Sequence, residues 1–332
     1  MTKTRAVVYT AGALVVFLSL LADAASAAVP RLPVILVYGF QPAPGFLPTR
    51  LWETFAERLS GRSITEADRR SVNERHPIDV LGAADGEHVD VYLSHYASSV
   101  EPTVRDLRYY AARLAEEIAW VRSVTGAAAV DLVGHSMGGL VARCYVECDD
   151  FAQLLGQPGF EDYGTTYSHD VRTLITLATP HYGAGLAGLG TWLGPLVAEL
   201  APGSQLLQVL NAPGADGFAI DPSVRYVAMA GQICFGCGLL QDAQTCQERC
   251  VRDAIAWSGS DLVVSMQSAR LPGAENTACL GMDHMDMHVN ALLADAVAAL
   301  LRGKPAPALL LADPKLDPAR FPAADAGGSA SL

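Results

Sequence analysis

The chain of 332 residues carries 23 Lys and Arg against 35 Asp and Glu, a formal charge of −12, and is 51% apolar with only 17% charged residues. That composition buries a substantial core, which excludes a disordered chain and a miniature held together by disulfides alone. The acidic balance repels phosphate backbones and no basic stripe offsets it, so nucleic-acid binding is excluded as a leading function.

At the front, Lys3 and Arg5 precede an uncharged run from Ala6 to Ala22, and Ala25-Ser26-Ala27 supplies a small-x-small cleavage site before Ala28. This reads as a signal peptide over residues 1–27. The alternative is an uncleaved anchor, since the run is nearly long enough to span a bilayer. No Cys follows the run to accept a lipid. The expected location is secreted or periplasmic, with no stable membrane span once the signal is removed.

Short apolar runs then alternate with helical stretches, the pattern of an α/β fold: a mostly parallel central sheet flanked by helices. Strands are expected at Pro33 to Tyr38, His88 to Leu93, Ala128 to Val133, Val171 to Leu177 and Val224 to Met229, with a weaker one near Asn276 to Leu280. Between Pro102 and Gly126, Val104, Leu107, Ala111, Leu114, Ile118 and Val121 keep helical steps of three and four. Asn290 to Leu301 reads as the closing helix. The main domain is therefore placed at 28–302, with excursions at 40–87, 182–223 and 234–257, and a loose Pro/Ala-rich tail at 303–332. In the second excursion Trp192, Leu193, Leu196, Val197 and Leu200 form a candidate lid helix, with ordinary core packing as the alternative.

Seven cysteines in an exported chain are read for an oxidising compartment, and the odd number leaves at least one without a partner in the monomer. Cys234, Cys237, Cys246 and Cys250 crowd together as a zinc knuckle would, yet export favours two disulfides stapling this insertion. Cys144 and Cys148 lie one helical turn apart, awkward for a bond, and read as buried free thiols.

Gly134-His135-Ser136-Met137-Gly138 satisfies Gly-x-Ser-x-Gly. Its context is informative: Val130 to Val133 is a buried strand running into the motif, and Leu140 to Arg143 continues it as an apolar helix. Ser136 at that junction sits in a strained turn that lifts its hydroxyl above the sheet. The helix N-terminus behind it favours a developing oxyanion. The backbone N–H of Met137 is one candidate oxyanion donor. The second is expected from the loop after an earlier strand, and the apolar run ending in Gly39 assigns it to the N–H of Phe40.

A serine hydroxyl needs a base, and the base needs a carboxylate to orient it. With the chain order Ser, acid, His, His284 in the loop between the last strand and last helix is the candidate base, and His288, one turn later, is its competitor. Asp261, on the polar turn Ser258-Gly259-Ser260-Asp261, is the candidate acid, with Asp253 and Asp283 as alternatives. His135 is read as a packing or hydrogen-bonding residue and His181 as part of the pocket wall.

The segments Val34 to Phe40, Leu132 to Arg143 and Leu177-Ala178-Thr179-Pro180-His181-Tyr182-Gly183 together resemble secreted bacterial lipases and esterases of the α/β-hydrolase superfamily, as does the stretch from Leu200 through Asn211. The likeness covers most of residues 30–302. It departs at Tyr38, where the family usually has His, and at the four-cysteine segment 234–250.

The reading that follows is a serine ester hydrolase, a lipase or carboxylesterase, cleaving apolar acyl esters through an acyl-Ser136 intermediate with no required cofactor. Its substrate is an ester or lipid, met in solution or at an interface. An acyltransferase or thioesterase would use the same triad. A non-catalytic α/β-hydrolase-like binding protein is the alternative from another class, and the joint presence of Ser136, Asp261 and His284 argues against it. In Asp283-His284-Met285-Asp286, the His-x-Asp arrangement resembles a group of calcium-dependent bacterial lipases, which makes Asp286 a candidate calcium ligand. Calcium takes about six to eight oxygens, and Asp221, Asp242 or Asp253 are the candidate partners. The favoured reading of Asp286 is a cap on the final helix.

Overall fold

The computed structural model describes residues 31–40, 49–64, 78–82, 89–94, 106–155, 160–185, 198–213, 220–234, 249–254 and 256–311. The chain divides into two units, residues 1–31 and 32–332, and apart from Arg31 the first, with the expected signal, lies outside the described residues. So do Trp192 to Val197 of the expected lid helix, Cys237, Cys246, and the tail beyond residue 311.

The second unit is built on an eight-stranded sheet: β1 (Val34–Val37), β2 (Ile78–Gly82), β3 (Val91–Ser94), β4 (Val130–His135), β5 (Val171–Leu177), β6 (Arg225–Gln232), β7 (Glu275–Leu280) and β8 (Leu309–Leu311). Their spatial order is β2-β3-β1-β4-β5-β6-β7-β8, and every pair is parallel except β2 with β3. The residues of β1, β3 and β4 are all buried, as strands covered on both faces by helices must be; β1 is accordingly apolar throughout, while β4 carries the buried Asp131, which pairs with Arg172.

Two strands fall where none is expected. Within the first excursion, Ile78–Gly82 pairs antiparallel to β3 with a register shift between Val80 and Gly82; as a short, irregular edge strand it has no clean alternation to detect. Beyond 302, Leu309–Leu311 adds the last strand on β7, after Ala306 N–H has bonded to Glu275 and Thr277 Oγ1 has donated to Pro307 O. The chain from 303 to 311 is thus tied to the sheet rather than loose.

The helices include α1 (Glu53–Ser60), α2 (Leu107–Thr125), α3 (Met137–Val146), α4 (Gln205–Leu210), α5 (Met266–Ala269) and α6 (Ala291–Leu301). The Asp106 carboxylate caps α2 by accepting from Tyr109 N–H, and Gly126 ends it in the left-handed conformation at φ 70°. The cap of α6 is Asn290, which accepts from Leu292 and Leu293 N–H. Asp286 therefore does not cap the final helix, correcting the favoured reading of that residue; it opens a separate 3-10 turn, Asp286–His288. No helix among the described residues is long and apolar enough to cross a membrane.

The connections out of β1 lead to β3 on one side, and those out of β4 lead to β5 on the other. Between these two adjacent strands the chain reverses direction across the sheet, which opens a crevice at their carboxyl ends. Gly39 and Ser136 follow β1 and β4 at that crevice.

Candidate active site

Ser136 leaves β4 with φ 54° and ψ −127°, a left-handed conformation that a residue with a Cβ adopts only under constraint. The constraint is packing of backbone on backbone. A Cβ on Gly138 would lie 2.1 Å from the carbonyl oxygen of Tyr38, so the first turn of α3 can press against the end of β1 only through glycine. Ser136 N–H donates to Leu177 O at 2.8 Å, which anchors the turn to β5 as well.

The hydroxyl of Ser136 lies 2.9 Å from Nε2 of His284, and Nδ1 of His284 lies 2.8 Å from Oδ2 of Asp261. Because a carboxylate only accepts, Nδ1 carries the ring hydrogen and Nε2 is left as acceptor for the serine proton. Asp261 is fully buried, and its other oxygen, Oδ1, accepts from the amides of Val263 (2.9 Å) and Val264 (2.7 Å). That turn forces Leu262 to φ 86° and leaves its side chain half exposed. The His284 loop hangs from β6, where Gln232 O accepts from Gly281 and Met282 N–H, and His284 N–H itself donates to Asp261 O at 3.0 Å.

The competing residues are elsewhere. Asp283 Oδ1 accepts from the amides of Met285 and Asp286, while Asp286 Oδ2 accepts from Asp283 N–H, so the two carboxylates brace the loop around His284. The Asp253 carbonyl receives Ser258 N–H. His288 is buried with its ring 4.3 Å from that of His135 and 5.6 Å from that of Trp52, and neither of its nitrogens has a hydrogen-bond partner. Burial, then the nearby His284, pushes it down to about 4. Among the described residues no group of three or more His, Cys, Asp or Glu side chains is arranged to hold a metal ion; of the candidate calcium partners, Asp242 lies outside them.

Met137 opens α3, so its amide is one of the four N–H groups that a helix leaves without an internal acceptor. Phe40 follows Gly39, where a Cβ would come within 2.9 Å of the Ser136 Cβ; the chain carrying the Phe40 amide thus passes directly beside the serine. Residues 41–48 of that loop are outside the described set.

His181 is not a wall of the pocket. It is fully buried, with Nε2 on Thr176 Oγ1 and Nδ1 facing Arg143, and burial holds its ring well below the usual imidazole range. This belongs to a polar network that the sequence reading missed. Arg143 grips Glu147 through Nε (3.1 Å) and a terminal nitrogen (2.8 Å), reaches Asn211 Oδ1 (3.1 Å), and Tyr226 OH donates to Glu147 at 3.0 Å. The available signal was an Arg and a Glu four residues apart in an otherwise apolar helix.

In the four-cysteine insertion Cys234 and Cys250 are disulfide-bonded, with Cα atoms 5.6 Å apart. Cys144 and Cys279 are buried free thiols and Cys148 a partly exposed one.

Residues 67–195 match the family model described as "Putative serine esterase (DUF676)", a span that includes the Ser136 turn but is less than half of the chain. Among solved structures, the mature form of the lipase BlEst2 from Bacillus licheniformis is similar with a TM-score of 0.51 at 18% identity, over 82% of this chain and 92% of that one. Its propeptide form gives a TM-score of 0.53 at 19% identity, over 83% of this chain and 52% of that one. The phospholipase PlaB from Legionella pneumophila gives 0.50 at 14% identity, over 82% and 60%. The chain has the α/β-hydrolase fold. No curated protein matches it.

Proposed function

We propose that this α/β-hydrolase chain is a serine carboxylic-ester hydrolase of lipase or esterase type, acting on apolar acyl esters. The observation that carries the reading is the unbroken hydrogen-bonded series Ser136 Oγ, His284 Nε2, His284 Nδ1, Asp261 Oδ2, with distances of 2.9 and 2.8 Å. The esterase family match and the likeness of fold to a lipase and a phospholipase support it.

In this mechanism His284 Nε2 takes the proton of Ser136 as Oγ attacks the ester carbonyl carbon, and Asp261 stabilises the imidazolium so formed. The carbonyl oxygen becomes an oxyanion beside the amides of Met137 and Phe40. The tetrahedral intermediate collapses, the C–O bond to the alcohol breaks, and His284 returns the proton to the leaving oxygen. Water then repeats the sequence on the acyl-Ser136, with His284 as base, and releases the acid. No cofactor enters these steps; a calcium ion at Asp286, were one bound, would act on the position of the His284 loop.

The reading includes export after cleavage before Ala28, which the Cys234–Cys250 disulfide supports, since such bonds persist in oxidising compartments. Mass determination of the mature N-terminus tests that part. A fluorophosphonate probe followed by a series of p-nitrophenyl esters of increasing acyl length tests the chemistry. The probe is expected on Ser136, and Ser136→Ala is expected to lose both label and turnover. Labelling at another serine, or equal turnover by Ser136→Ala, would overturn the assignment.

A further inference from the structure

The two backbone groups of His284 are both tied, each to a loop bearing another member of the series. Its N–H donates to the carbonyl of Asp261 at 3.0 Å. Its carbonyl oxygen lies 2.8 Å from Nε2 of His135, the residue immediately before the nucleophile. A carbonyl only accepts, so Nε2 of His135 carries the hydrogen, which assigns the tautomer of this ring from geometry alone.

The ring has little freedom to do otherwise. It is 3% exposed, lies 4.3 Å from the ring of His288 at an interplanar angle of 33° and 4.8 Å from that of His284, and meets the edge of Trp52 at 6.5 Å. Its Nδ1 stands 3.3 Å from the point where a Cβ on Gly39 would sit, so the ring fills the space between the β1 loop and the His284 loop. Burial, and then the neighbouring His288 and His284 rings, hold it well below the usual imidazole range, so it is a neutral donor near pH 7.

We infer that His135 is a positioning residue for the base: by holding the His284 carbonyl, it sets the point from which the imidazole reaches Ser136. The inference rests on the hydrolase reading. Its physical basis is that reacting groups held at near-attack distance lose on the order of 100-fold in rate for a displacement of about 1 Å. His135 holds the loop from the side of the nucleophile, so Ser136 and His284 shift together rather than apart.

The test compares His135→Phe, which keeps an aromatic ring against His288 but has no donor, with His135→Gln, whose Nε2 can donate to the same carbonyl. His135→Phe is expected to lower kcat for p-nitrophenyl butyrate about 10- to 100-fold, with KM unchanged within about a factor of two, and to slow fluorophosphonate labelling of Ser136 in proportion. His135→Gln is expected to recover most of both. Should the Phe variant not fold, His135→Asn serves instead: it is as polar as Gln, too short to reach the carbonyl, and expected to stay slow. Equal kcat in wild type and His135→Phe, or equal losses in Gln and Asn, would overturn the inference while leaving the hydrolase reading intact. A wild type that neither hydrolyses esters nor takes the probe would overturn that reading and this inference with it.

Discussion

Asp261 and His284 are joined twice, once between side chains at 2.8 Å and once between the His284 amide and the Asp261 carbonyl at 3.0 Å. The second contact keeps the two loops in register when the first is altered, which makes Asp261→Asn a clean probe. Asn at this position can keep Oδ1 on the amides of Val263 and Val264, and it then presents an NH₂ group to Nδ1. His284 is forced into the tautomer with the hydrogen on Nε2, which cannot take the Ser136 proton. On the proposed mechanism, kcat falls by about 10⁴-fold with KM little changed. Steady-state kinetics on a p-nitrophenyl ester check this, and a loss under tenfold would move the acid elsewhere.

His288 can be separated from His284 by substitution. His288 has two buried nitrogens without partners, each of which costs stability that a carbon would not. His288→Phe, similar in shape and set beside Trp52, is expected to raise stability by about 1 kcal/mol and to keep ester turnover, whereas His284→Ala is expected to abolish it. The ring is depressed to about 4 in the folded chain from an ordinary 6.5. The unfolded chain therefore binds the proton first, and the wild type loses stability as pH falls from about 6.5 to about 4. Urea denaturation across that range should show a shallower acid loss for the Phe variant; parallel curves would contradict it.

Arg143 and Glu147 form a fully desolvated pair at the C-terminal end of α3. Arg143→Met strands the Glu147 carboxylate in the core and is expected to cost about 3–5 kcal/mol. Arg143→Met combined with Glu147→Gln removes both charges and should recover a large part of that loss. Chemical denaturation of the two variants decides it: a double variant no more stable than Arg143→Met would show that lost packing outweighs the stranded charge.

Glu199 accepts from Leu107 N–H at 2.8 Å, tying the second excursion to the start of α2. Burial, and then Asp106, push its carboxyl up to about 8 from an ordinary 4.5. The folded chain therefore holds a proton that the unfolded chain has released, so this group's contribution is full below about 4.5 and is lost as pH rises through about 8. Glu199→Gln, which retains the acceptor, should leave Tm unchanged near pH 5 and raise it by a few degrees near pH 9. Thermal melts at the two pH values test this, and equal shifts at both would rule it out.

What the sequence determined by itself is local. Val130 to Val133, the glycines around Ser136 and the apolar start of α3 specify a strand, a tight turn and a helix within a dozen consecutive residues, because sterics and burial act there between neighbours in the chain. The parallel core strands were legible for the same reason: buried on both faces, they are mostly apolar, and a polar residue such as Asp131 is tolerated there because Arg172 pairs with it. The chain order of the loops also narrowed the acid and base to a few candidates. The tertiary structure decided which of them meet. Asp253, Asp261 and Asp283 all precede His284 as candidate carboxylates; Asp253 lies in a helical segment and the other two in loops, and only packing of the β6 and β7 loops places Asp261 against His284. His135 and the His284 carbonyl are separated by 149 positions, and Arg143 reaches Asn211 across 68. Such contacts follow from how whole strands and helices stack, and their partners carry no mark in the local pattern. The last strand, Leu309–Leu311, is three residues long; it exists because β7 offers an edge to pair with, a fact of the assembled sheet and not of those residues alone.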